Sequence, residues 1–161
     1  MNEHESLQEH EVTHATLTLE RSYPAAPAQV FAAWADPAVK ARWFAGSSLS
    51  HDLDFRVGGQ EVNRADVGEG RVATFTSTYH DIIEAQRIVY SSTLAMAGRA
   101  VSTVSVTTVE LVPDGGGTRL VLTEQGTFLD GQEQPSWREH GTGDWLDALG
   151  GELATTHRPQ V

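Results

Sequence analysis

The sequence predicts an α+β domain: a curved antiparallel sheet of about six to seven strands, two short helices after the first strand, and one long C-terminal helix lying across that sheet. Three observations predict it. Short alternating segments follow one another across turn signals, which calls for hairpin succession and hence antiparallel pairing. Helical patterning is confined to 27–44 and to the segment beginning at Ser136. That last segment spaces Trp137, Gly141, Trp145, Leu149 and Leu153 at four-residue steps, a stripe suited to lying across a sheet. A sheet wider than the helix covering it leaves space between the two.

A chain of 161 residues suits one domain with one core, and we divide it as an acidic tail over 1–13, a single domain over 14–154 and a frayed tail over 155–161. The first segment holds glutamates with His4 and His10 and has no apolar stretch, so it reads as neither a signal nor a transit peptide. The formal charge of -11, with Lys and Arg scattered, repels phosphate backbones, so neither nucleic acid nor an anionic membrane is an expected partner. No apolar run approaches the roughly 20 residues of a membrane span. The chain has no cysteine, which fits a cytoplasmic setting.

The first strand follows from Leu17, Leu19, Arg21 and Tyr23 alternating with Thr16, Thr18, Glu20 and Ser22. Pro24 and Pro27 stop it, and Pro27 suits the first turn of a helix carrying Val30, Phe31 and Trp34 on one stripe. Asp36, just before Pro37, is a natural N-cap for a second short helix ending in Trp43-Phe44. Burying one Trp contributes up to roughly 4–6 kcal/mol by area, so Trp34 and Trp43 read as core or cavity wall before ligand-stacking groups.

Leu53 and Phe55 then alternate with Asp54 and Arg56, and Gly58-Gly59 is expected to form a two-residue hairpin turn. Strands follow over 60–65, over 72–83 with Ala73, Phe75 and Tyr79 on one face, and from Ile88 to Met96 with Tyr90 and Leu94 between. In the next strand Val104 and Val106 share one face while Val109 and Leu111 fall on the other, which predicts a β-bulge near Thr107-Thr108. Residues 113–117 are read as a long hairpin loop. Ser136 with Glu139 predicts a capping box for the last helix, and Gly141 and Gly143 predict close backbone approach or a broken first turn.

The blocks Pro24–Pro37, Arg42-Trp43-Phe44 and Phe55-Arg56-Val57-Gly58-Gly59, with Thr118–Thr123 and Trp145–Leu149 behind them, resemble the START-like or SRPBCC superfamily. Within it they are most similar to proteins related to the C-terminal domain of the activator of heat-shock-protein-90 ATPase. The resemblance covers His14 to Leu153, with Phe44 standing where a second Trp is common. It implies a helix-grip fold of the Bet v type with a cavity between sheet and last helix. Its relatives include lipid and hormone binders, polyketide cyclases and many bacterial members.

The expected function is binding of a small hydrophobic or amphipathic molecule in that cavity, without cofactor or metal. The wall candidates are Trp43, Phe55, Phe75, Tyr79, Tyr90, Met96, Trp137, His140, Gly141 and Trp145. One alternative is a cyclase or dehydratase in the same cavity, with His140 as the weak acid–base candidate. Another is a chaperone-interaction module, which the family name suggests and which ranks last. Exposed sheet edges permit a homodimer. His51, His80 and His140 lack the neighbours of a nucleophile triad, and no spacing of His residues matches a zinc motif. An empty apolar void of about 300 Å³ would cost roughly 7 kcal/mol, so the cavity should be wet, occupied or partly collapsed.

Overall fold

The computed structural model describes residues 10–156. The strand β1 (Val12–Tyr23) is followed by α1 (Pro27–Ala35), α2 (Pro37–Lys40) and a π-helical turn, Ala41–Ala45. Then come β2 (Ser50–Leu53), β3 (Gln60–Asp66), β4 (Val72–Ile83), β5 (Arg87–Met96), β6 (Val101–Asp114), β7 (Gly117–Leu129) and α3 (Pro135–Thr156). All seven strands form one antiparallel sheet in the order β1-β7-β6-β5-β4-β3-β2. The sheet curls around α3, whose Leu146, Leu149 and Leu153 are buried in the same core as Leu19, Tyr23, Val30 and Leu120. This is the helix-grip arrangement.

The local chemistry follows the sequence closely at the first helices. Pro27 opens α1, and Asp36 caps α2 by accepting from the backbone N–H groups of Ala38 and Val39. β1 begins at Val12, two residues before the expected boundary, and its start is tied down where the Glu11 N–H donates to Asp130. His4 and the rest of 1–9, like 157–161, lie outside the described residues. The helix continues through Thr155, which the sequence places in a frayed tail.

Four local expectations are corrected. Pairing runs unbroken through Thr107 and Thr108 on both sides of β6, so no bulge lies there. The register shifts instead beside His80 in β4 and beside Ser102 in β6. The apparent phase fault arises because the inward face of β6 is polar: Thr103, Ser105 and Thr107 are buried with Val109 and Leu111, whereas Val104 and Val106 face solvent. Gly58-Gly59 is not a two-residue turn, since residues 54–59 all lie between β2 and β3. Gly58 has φ +83°, and a Cβ on Gly59 would fall 2.1 Å from the Asp54 carbonyl oxygen, so both positions demand glycine.

Residues 113–117 form no long loop; Asp114 pairs with Gly117 across a two-residue turn. The last helix starts at Pro135, with the Gln134 carbonyl accepting from the N–H groups of Trp137 and Arg138, so Ser136 sits inside the first turn rather than capping it. Close approach at Gly143 is real, because a Cβ there would lie 3.2 Å from the Arg21 guanidinium. Gly141 meets nothing within 4 Å and instead borders a cavity.

Candidate functional site

Two chambers lie between α3 and the sheet. The outer one, about 220 Å³, is half open and walled by apolar groups from β3, β4, β5 and α3, among them Ala65, Ala73, Phe75, Leu94 and Trp145. The inner one, about 20 Å³, is bounded by Trp34, Trp43, Phe44, Tyr90, Thr107 and Glu124, together with Leu122 and Leu146. Phe75, Thr142 and Trp145 belong to both walls and stand between them. The space therefore exists but is largely collapsed, because Trp145 packs on Phe44 and Phe75 with ring centroids 4.5 and 6.0 Å away.

Of the expected wall residues, Trp43, Phe75, Tyr90 and Trp145 line the inner chamber. Phe75, Trp137, Gly141 and Trp145 line the outer one, with Trp137 at its rim and 62% exposed. Four lie on neither wall: Phe55, Tyr79, Met96 and His140. Phe55 and Tyr79 meet edge to face at 5.0 Å, with Phe31 behind Phe55, and Met96 is half-buried at the end of β5. His140 is contradicted as a cavity group: its side chain is 84% exposed, on the solvent face of α3, with Asp144 3.5 Å away. The face of α3 that enters the grip is rotated from the expected stripe and runs through Arg138, Thr142, Leu146, Leu149 and Leu153.

Two buried charge clusters were not foreseen. Lys40, 1% exposed, donates to Glu61 Oε1 at 2.7 Å and to the Tyr79 hydroxyl at 3.2 Å. Tyr79 donates in turn to Glu61 at 2.7 Å, and His51 Nε2 lies 2.7 Å from the other carboxylate oxygen. The Lys40 ammonium also sits 4.8 Å from the Trp34 ring and 4.7 Å from that of Phe44, both favourable cation–π distances. Burial would raise the Glu61 carboxyl, but Lys40, His51 and Tyr79 outweigh it and hold the group at about 2. Burial presses Lys40 the other way, below the ordinary lysine value, against the pull of Glu61. The carboxylate decides the state of the pair, because its two oxygens face three partners and its charge requires a donor at each.

The second cluster borders the chambers. Arg138 donates to Glu133 through Nε and Nη2 at 3.0 and 2.6 Å, and to Glu124 Oε2 through Nη1 at 3.2 Å. Thr103 and Thr107 donate to Glu133 and Glu124. Burial works against the Arg138 charge, yet the two carboxylates hold its value above the ordinary one. Two carboxylates face one guanidinium, and Glu124 Oε1 has no partner. Asn63 Oδ1, on the outer wall, and Trp34 Nε1, on a residue of the inner wall, are also buried without one. Burial and the nearby Glu124 push the Tyr90 hydroxyl upward, so it stays a neutral phenol.

Among the described residues no group of three or more His, Cys, Asp or Glu side chains is placed to hold a metal ion, and no helix is long and apolar enough to cross a membrane.

Sheet, gripped helix and intervening chambers define the chain as a START-like helix-grip domain. Its family model, "Activator of Hsp90 ATPase homolog 1-like protein", matches residues 24–154, and the chain belongs to that family. Among solved structures it is similar to the protein Mll3558 from Rhizobium loti, with 45% identity over 88% of this chain and 99% of that one and a TM-score of 0.83. A protein from Rhizobium leguminosarum shares 37% identity over 92% and 99% of the two chains, with a TM-score of 0.88. DynU16, from the dynemicin biosynthetic locus, shares the fold alone, at 19% identity over 88% of this chain and 48% of its own, with a TM-score of 0.64. No curated protein matches the sequence.

Proposed function

We propose that this domain binds a small amphipathic molecule in the two-chambered cavity. The observation that carries the reading is the combination of apolar walls with buried polar atoms that lack partners, Asn63 Oδ1 and Glu124 Oε1. An unanswered buried polar atom costs about 1–3 kcal/mol, so such atoms are retained where something else answers them. An outer volume of about 220 Å³ lies below the roughly 300–1,000 Å³ typical of drug-sized ligands, which favours a compact ligand or one that displaces Trp145. A cyclase-type reaction would have to draw on groups other than His140, which faces solvent. The Hsp90-activator name of the family points to a chaperone partner, and no surface feature among the described residues supports that reading in particular.

Titration with a panel of lipids, polyketides and aromatic metabolites, followed by intrinsic Trp fluorescence, tests the proposal. A binding member is expected to change the signal and to lose at least tenfold in affinity in Trp145→Ala. A panel in which no member binds a folded protein overturns it.

A further inference from the structure

The inner chamber is about 20 Å³, slightly more than the roughly 10–15 Å³ that one water-sized group requires. Its wall residues Trp34 and Glu124 each carry one buried atom without a partner, and the two are complementary: the indole Nε1–H is a donor and the carboxylate Oε1 an acceptor. A hydroxyl accepts and donates through a single oxygen as water does, so an alcohol can supply there both bonds that a water molecule would make. Resting on the ligand-binding reading above, we infer that the cavity selects an uncharged ring compound bearing a hydroxyl, whose oxygen enters the inner chamber between Trp34 and Glu124 while the ring stays in the outer one.

The alternatives fit less well. An ammonium would answer Glu124 but leave the Trp34 N–H without an acceptor. It would also approach two resident cations: Lys40, 4.8 Å from the Trp34 ring, and Arg138, 3.2 Å from the second oxygen of Glu124. A carboxylate would add negative charge where Glu124 and Glu133 already outnumber Arg138. A plain hydrocarbon would answer neither atom. Entry requires Trp145 to swing off Phe44 and Phe75, and Trp145 is only partly buried.

The test uses four probes with one body and different heads: 2-phenylethanol, 2-phenylethylamine, 3-phenylpropanoate and ethylbenzene. Affinities are read by NMR titration of the indole N–H signals. The alcohol is expected to bind at least fivefold tighter than each of the other three, and to move the Trp34 indole signal, which ethylbenzene leaves in place. Trp34→Phe, which keeps a ring and removes the donor, is expected to reduce the alcohol's advantage over ethylbenzene to less than twofold. The wild-type ratios decide even if that variant does not fold. Equal binding of alcohol and ethylbenzene overturns the inference, as does tighter binding of amine or carboxylate, and either result leaves the ligand-binding reading standing. Failure of all four to bind, together with a silent broader panel, removes both.

Discussion

Lys40 and Arg138 are both cations withdrawn almost wholly from water, yet their surroundings differ in one respect. Around Lys40 every polar atom of the lysine, of Glu61 and of Tyr79 finds a partner, and neither chamber wall includes Lys40 or Glu61. Around Arg138 the guanidinium is satisfied, but Glu124 keeps a free oxygen and the cluster borders open space. A fully satisfied buried network fixes a unique packing, whereas a partly satisfied one beside a cavity leaves work for another molecule. The contrast assigns the first cluster to architecture, fastening α2 to β3 and β4, and the second to recognition.

The sharpest way to break this contrast is Lys40→Met. It strands Glu61 in the core, and removing one partner of a buried pair costs about 3–5 kcal/mol. Urea denaturation should show a loss of that size, with Lys40→Met combined with Glu61→Leu losing less than the sum of the two singles. An effect below about 1 kcal/mol would mean that the lysine is not held as described.

Acid gives a second, somewhat smaller measure. The Glu61 carboxyl is held at about 2 against an ordinary value of 4.5, so its contribution is fully present above about pH 4.5 and is lost as pH falls through about 2. The shift corresponds to a loss on the order of 3 kcal/mol. Stability curves between pH 5 and pH 2 should flatten by that amount in Glu61→Gln. Glu124→Gln sharpens the comparison: it weakens a bond to Arg138 but relieves an unpartnered charge, so its net effect should stay within about 1 kcal/mol by urea denaturation.

The fold was largely legible because its signals are local. Pro27 and Asp36 mark helix starts, and β4 reads from Val72 to Ile83 as found. The site was less so, because apolar periodicity is blind to polar residues that point inward. Thr103, Ser105 and Thr107 occupy the core face of β6, and counting Val104 and Val106 as buried invented a bulge that pairing excludes. The same blindness favoured Trp137 over Arg138 on α3. A stripe through Arg138, Thr142, Leu146, Leu149 and Leu153 has the better helical spacing, and its charged first member is the signal that was available. Lys40 offered a similar clue, a cation at i−4 from Phe44 and therefore on the same helical face as that buried ring, whereas Arg42 is not at that spacing.

The smallest expected effect falls outside both clusters and tests the claim that burial rather than charge separates functional from bystander groups. His140 and Asp144 are close enough to pair, but their side chains are 84% and 66% exposed, so water screens whatever attraction they have. His140→Ala should change stability by less than about 0.5 kcal/mol in urea denaturation. It should also leave the affinity for any cavity probe unchanged within twofold, since the imidazole lines neither chamber. A larger loss of binding would place His140 in the cavity after all, which requires α3 to rotate toward its Trp137 stripe when a ligand enters; Thr142 would then leave the boundary between the chambers, and the inner pocket would lose its definition.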